Sequence, residues 1–266
     1  MDKFYYTFDN SRVDHHLSNK HVLVSASMCW RKDKFRIPNF LDGAASIMLD
    51  SGAFTYKNGG FPYNWSQYLR FVIDFHARYP QTDCFAVMDR FAQGMATSDI
   101  NQKYGAWEGL PANPIMIIQG ETLEDYVNCL EETYWLNDDF EENYPGLWQH
   151  LSSEDFDDTE FEYSLSPLIG IGNIAGRNHR DEVFKILKTI RHIVGDTQKI
   201  HVLGLKYRFW RDDDIRNQIN QADSGIWRFG TTKRFPSNHT EKIENLHAFD
   251  KKLSNVFAQQ SIAGYS

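Results

Sequence analysis

Three carboxylates, Asp50, Asp89 and Asp223, each stand beside a short apolar run, a placement that suits acid/base and nucleophilic work. Displacement at a sugar's anomeric carbon needs one carboxylate as nucleophile and a second acid for the leaving group's proton. Other apolar runs are followed by Gln119-Gly120-Glu121, by Gly172-Asn173 and by Gly204. Amide and backbone groups of this kind can read the edge of a heterocyclic base, with flat or apolar walls against its faces. Other chemistries lack their motifs. The ten histidines form no HxH or HExxH pair, so no catalytic metal is expected. Gly170-x-Gly172-x-x-x-Gly176 does not have the dinucleotide-binding spacing. Cys29, Cys84 and Cys129 are isolated, which predicts buried free thiols rather than a disulfide framework.

The apolar runs that must position these groups read as strands at 21–25, 46–49, 84–88, 114–118, 168–171, 200–203 and 225–229. Between them lie helical patterns. Residues 63–79 carry Trp65, Tyr68, Leu69, Val72, Ile73 and Phe75 at helical spacing, and 179–194 repeat the pattern. Thr122 and Asp125 form a cap signal ahead of 126–134. Strands alternating with helices imply a parallel sheet. Seven strands and a weaker eighth predict a closed (β/α)8 barrel; an open doubly wound sheet is the alternative. In a barrel, residues just beyond the strands' C-terminal ends share one mouth, where active sites form.

The 266 residues fit one α/β domain, and 41% apolar with 15% aromatic residues exclude disorder. The N-terminal stretch has no apolar core or cleavage site, and no run is long enough to span a membrane. The net charge of −8 is unevenly spread. Between Val127 and Ser166 there are twelve acids and no Lys or Arg; elsewhere 28 basic residues face 24 acidic ones. Residues 136–166 read as an acidic insertion after the fourth strand, either a solvated face or a dock for a partner protein. Lys206, Arg208, Arg211, Arg216, Arg228, Lys233 and Arg234 interleave with Tyr207, Phe209, Trp210 and Trp227, a pattern that suits a nucleic-acid backbone track.

Asp50-Ser51-Gly52-Ala53-Phe54 resembles the DSG-G/A-aromatic motif of the tRNA-guanine transglycosylase superfamily. Asp89, Ile118-Gln119-Gly120, Ile171-Gly172-Asn173-Ile174-Ala175-Gly176, Val202-Leu203-Gly204 and Asp223 follow in the family's order. The resemblance covers roughly residues 45 to 235. It implies that Asp223 is the nucleophile that forms a covalent adduct at C1′, and that Asp50 moves protons to and from the departing and arriving bases. It implies that Asp89 reads the guanine N1 and amine, and that Gln119 and the Gly172 N–H face the base carbonyl. Phe54 and Leu203 would sandwich the base, and of the basic track Lys206, Arg208, Arg211, Arg228, Lys233 and Arg234, the last two sit where the family places basic residues near phosphates.

The chain departs from the RNA-modifying members in two places. No cysteine follows Cys129, so their Cys-x-Cys-x-x-Cys zinc cluster is missing and no structural zinc is expected. The nucleophile is followed by Ser224-Gly225 rather than Cys-Val. Asp212, Asp213 and Asp214 lie near it and read as a solvated helix start. A zinc-free barrel resembles the 7-deazaguanine DNA transglycosylases of phages and bacteria. That resemblance implies exchange of guanine in DNA for a free 7-deazaguanine base such as preQ0, without a cofactor or a membrane, in the cytoplasm of a bacterial or phage-infected cell. Action on tRNA, or a non-catalytic nucleic-acid-binding subunit, are the alternative expectations.

Overall fold

The computed structural model describes residues 3–8, 16–104, 110–134, 168–224 and 239–263. Eight strands close a barrel: β1 Lys3–Thr7, β2 His21–Ser25, β3 Ser46–Asp50, β4 Thr82–Ala86, β5 Asn113–Ile118, β6 Leu168–Ile171, β7 Lys199–Val202 and β8 Gln221–Ser224. Every neighbouring pair is parallel, and β1 closes the ring between β8 and β2. The expected closed α/β barrel is the observed fold, and the open sheet is excluded.

Two features differ from the sequence reading. The strand at the N-terminus, Lys3–Thr7, is the weaker eighth: its run Phe4-Tyr5-Tyr6 is all buried and shows no alternation to mark it. The last strand is Gln221–Ser224, so Asp223 lies within a strand rather than ahead of one; residues 225–229 lie outside the described residues. With β1 counted, the acidic insertion follows the fifth strand rather than the fourth, and 136–166 also lie outside the described residues.

Successive strand residues face opposite ways. Tyr5, Leu23, Met48, Ala86, Ile115, Ile117 and Leu168 form one cluster, which fills the barrel. Their neighbours Phe4, Val22, Ile47, Phe85, Ile169, Ile200 and Ala222 belong to a second cluster, shared with the helices. Burying each Val, Leu, Ile, Phe or Met side chain among them contributes about 1.5–3 kcal/mol.

The helix α1 Trp65–Arg78 buries Tyr68, Phe71, Val72 and Phe75. It starts at a reciprocal cap in which the Asn64 and Gln67 side chains each accept the other's backbone N–H, both at 2.9 Å. The cap expected at Thr122 and Asp125 forms ahead of α3 Leu123–Tyr134; α2, between the two, is Gly94–Tyr104. The helix α4 Arg180–Val194 buries Val183, Ile186, Leu187 and Ile190 and stops at Gly195. Asp212 caps the short helix Asp213–Arg216 and pairs with Arg180 at 2.7 Å, as expected of a helix start. The helix α5 His239–Ala263 was not legible in the sequence. It covers β1: Phe249 packs on Phe4 and Tyr6, and Asp250 accepts the Tyr6 hydroxyl at 2.5 Å.

Among the described residues no helix is long and apolar enough to cross a membrane.

Candidate active site at the barrel mouth

The two-residue period that fills the barrel also builds its mouth. One step beyond interior Leu23, Met48 and Ile117 come Ser25, Asp50 and Gln119. On β8, Asp223 is in register with interior Tyr5. The expected Asp50, Gln119 and Asp223, from three different strands and their ends, are therefore brought with Ser25 to one end of the barrel.

Asp50 ends β3, in register with Ser25. Burial pushes its carboxyl up to about 7, and the nearby charge of Asp89 and then that of Asp223 act in the same direction. Hydrogen bonds from Ser25 and from the Gly52 N–H, the latter at 3.1 Å, oppose the shift. Gly52 has φ +86°, a backbone conformation that glycine adopts without a Cβ penalty.

Asp89 is buried, and burial raises its carboxyl to about 6. Its Oδ1 accepts the Ser51 hydroxyl at 2.5 Å and its Oδ2 accepts Gln119 Nε2 at 2.7 Å, which limits the rise. Gln119 Nε2 also donates to Thr97 Oγ1 at 3.3 Å, and its Oε1 accepts the Ala92 N–H at 3.0 Å. Ala92 is held at φ +57°. Both amide hydrogens of Gln119 are thus engaged within the protein.

Gly172 sits against Gln119, whose Oε1 lies 3.3 Å from where a Cβ would stand. The Gly172 N–H donates to Ile118 O at 2.9 Å. The two donors that the resemblance assigns to a base carbonyl therefore already have protein partners.

Asp223 is 6% exposed. Its Oδ1 accepts the Gly204 N–H at 2.9 Å and lies 3.2 Å from His201 Nε2, while the Thr7 hydroxyl is 3.5 Å from Oδ2. Gly204 has φ +71°. Each catalytic candidate is thus held by the N–H of a glycine in the left-handed region.

Leu203 is half-buried against the interior cluster. Phe54 is 56% exposed, edge-on to Phe91 at 5.4 Å, with the Lys57 ammonium 4.9 Å from its ring centre.

The expected basic track divides. Lys206 Nζ donates to Arg177 O and Asn178 Oδ1, both at 2.6 Å, and Arg208 donates to Asn178 O at 2.5 Å. Arg211 is exposed. Arg228, Lys233 and Arg234 lie outside the described residues.

Ser51, Thr97, Ser25 and His201 were not singled out from the sequence. Ser51 lies inside the motif that drew attention to Asp50, and His201 lies one interior step below Leu203. Strand parity could have found His201. Among the described residues no three His, Cys, Asp or Glu side chains group to hold a metal, and the three cysteines are buried and unpaired. No protein-family model matches the chain, and no curated protein matches it either.

Proposed function

We propose that this protein is a base-exchange transglycosylase, replacing guanine in DNA with a free 7-deazaguanine base through a covalent adduct on Asp223. The observation that carries the reading is the division between two carboxylates at one mouth. Asp223 is held by donors to one oxygen, while Asp50 is pushed to about 7, where one group can both give and take a proton.

In the first displacement an Asp223 oxygen attacks C1′ and the C1′–N9 bond breaks. The electron pair leaves with the base, and protonated Asp50 supplies a proton to it. In the second, the ionised Asp50 takes the N9 proton of the incoming base, N9 attacks C1′, and the bond to Asp223 breaks. Two inversions leave the anomeric configuration unchanged.

Asp89 accepts the N1–H and exocyclic amine of the base through the lone pairs that Ser51 and Gln119 leave open. A base carbonyl reaches Gln119 Nε2 by displacing Thr97, whose 3.3 Å bond is the weaker of the two. Extruding the target nucleotide costs a few kcal/mol in a duplex, which favours single-stranded or opened DNA.

The test supplies purified protein with radiolabelled guanine or preQ0 and with duplex DNA, single-stranded DNA or tRNA. Label entering DNA, and lost with Asp223→Ala, is the expected result. Label entering only tRNA moves the activity to RNA, and no label with any acceptor overturns the reading.

A further inference from the structure

Lys57 and Arg90 line a cavity of about 360 Å³ beside Asp89. Asp89 uses one lone pair of each oxygen for Ser51 and Gln119, and among the described residues no ion pair joins it to either cation, although the Arg90 charge acts on it. The Lys57 ammonium is instead held over aromatic rings, 4.9 Å from the centre of Phe54 and 5.9 Å from that of Phe91. Arg90, Gly60 and Phe61 also line a second cavity of about 560 Å³, whose walls include Trp65, Met88 and Ile100. A recess that holds both cations thus opens, past Arg90, into one walled by aromatic and apolar side chains together with Asn64 and Asp99.

Both rims are fixed in advance. Tyr63 donates to Ser51 O at 2.6 Å, and Thr97 bridges the backbone of Arg90, accepting from its N–H and donating to its carbonyl, both at 3.0 Å. Phe61 packs against Tyr56 and Tyr63.

We infer that these joined cavities hold the nucleotide next to the exchanged one. Its phosphate lies between Lys57 and Arg90, and its base against Phe61 and Trp65 in the second cavity. Charge complementarity sets the phosphate and stacking sets the base, the combination by which proteins track single strands. The inference rests on the base-exchange reading, and it moves the strand's path away from Lys206 and Arg208, whose donors are engaged by Arg177 and Asn178.

The test is fluorescence anisotropy with a labelled single-stranded DNA of mixed sequence, titrated at several salt concentrations. Thermal melting of each variant verifies its fold. The Lys57→Ala/Arg90→Ala double variant should bind about tenfold more weakly at physiological salt, with a log K against log salt slope shallower by about 1.4. Phe61→Leu should weaken binding with the slope unchanged, because it removes stacking without removing charge. Lys206→Ala/Arg208→Ala should keep the slope of the native protein. A native slope in the Lys57/Arg90 variant overturns the inference and leaves the base-exchange reading intact if label still enters DNA. A free deoxynucleotide that competes as well as the strand also overturns it, as does binding to tRNA alone. A native protein that binds no polynucleotide overturns both.

Discussion

His201 Nε2 lies 3.2 Å from Asp223 Oδ1, on the strand beside it. The nucleophilic role proposed for Asp223 requires an ionised carboxylate, which can only accept, and with that role the ring hydrogen is on Nε2. The ring is buried and packs edge-on to Tyr5 at 5.4 Å, so it has little freedom to turn away. His201 and Gly204 together fix the Oδ1 edge of the carboxylate. In the proposed exchange Oδ2, with only the 3.5 Å contact to Thr7, is the oxygen that attacks.

In that reading His201 positions Asp223, and His201→Ala should slow adduct formation by about ten- to a hundredfold, the loss of one charge-assisted hydrogen bond. The KM for the free base should change little. His201→Gln retains an N–H donor and should recover part of the rate. Single-turnover trapping of the covalent adduct measures this directly. Equal losses in the Ala and Gln variants would assign His201 to packing alone.

The pH profile of exchange should be bell-shaped. Asp89 must be ionised to accept two N–H groups, so kcat/KM should fall as the pH drops below about 6. In the proposed exchange protonated Asp50 releases the first base, so the rate should fall as the pH rises above about 7. With Asp50→Asn the alkaline limb should vanish along with most of the activity. A profile flat from pH 5 to 9 in the native protein would remove Asp50 from proton transfer.

Asp50 also sets a stability signature with a definite sign. Its folded pKa of about 7 lies above the ordinary 3.8. Between these values the folded chain holds a proton that the unfolded chain has released, so stability falls as the pH rises through that window. Asp50→Asn removes the buried charge. It should raise the melting temperature at pH 8 by about 3–6 °C, roughly 1–2 kcal/mol, and have little effect at pH 4. Melting curves across pH check it, and a constant difference at all pH values would refute it.

Strand parity and residue type made most of this site legible. Asp50, Gln119 and Leu203 follow interior strand positions, and turn chemistry marked the strand ends. Lys3–Thr7 was missed because its continuous aromatic run is buried both inside the barrel and beneath α5. The basic run at Lys206 and Arg208 showed charge but not its partners; Asn178 is far away in sequence and only folding brings it near. The hydrogen-bond circuit through Ser51, Asp89, Gln119 and Thr97 was hidden for the same reason. It crosses several loops, and no local pattern encodes it.

Gly204 offers a test of whether the mouth must be rigid. Its φ is +71°, and a Cβ there would lie 2.8 Å from Ala175 Cβ. Gly204→Ala is therefore strained twice, by backbone conformation and by contact, and should lose roughly 1–3 kcal/mol of stability. The same change displaces the N–H that holds Asp223, so adduct formation should slow more than global stability explains. Gly176→Ala is the matched control: no atom lies within 4 Å of its added Cβ, and its backbone is outside the left-handed region. Melting curves and single-turnover rates for the two variants separate the effects. If Gly204→Ala melts early but its folded fraction forms the adduct at the native rate, the Gly204 N–H does not position Asp223.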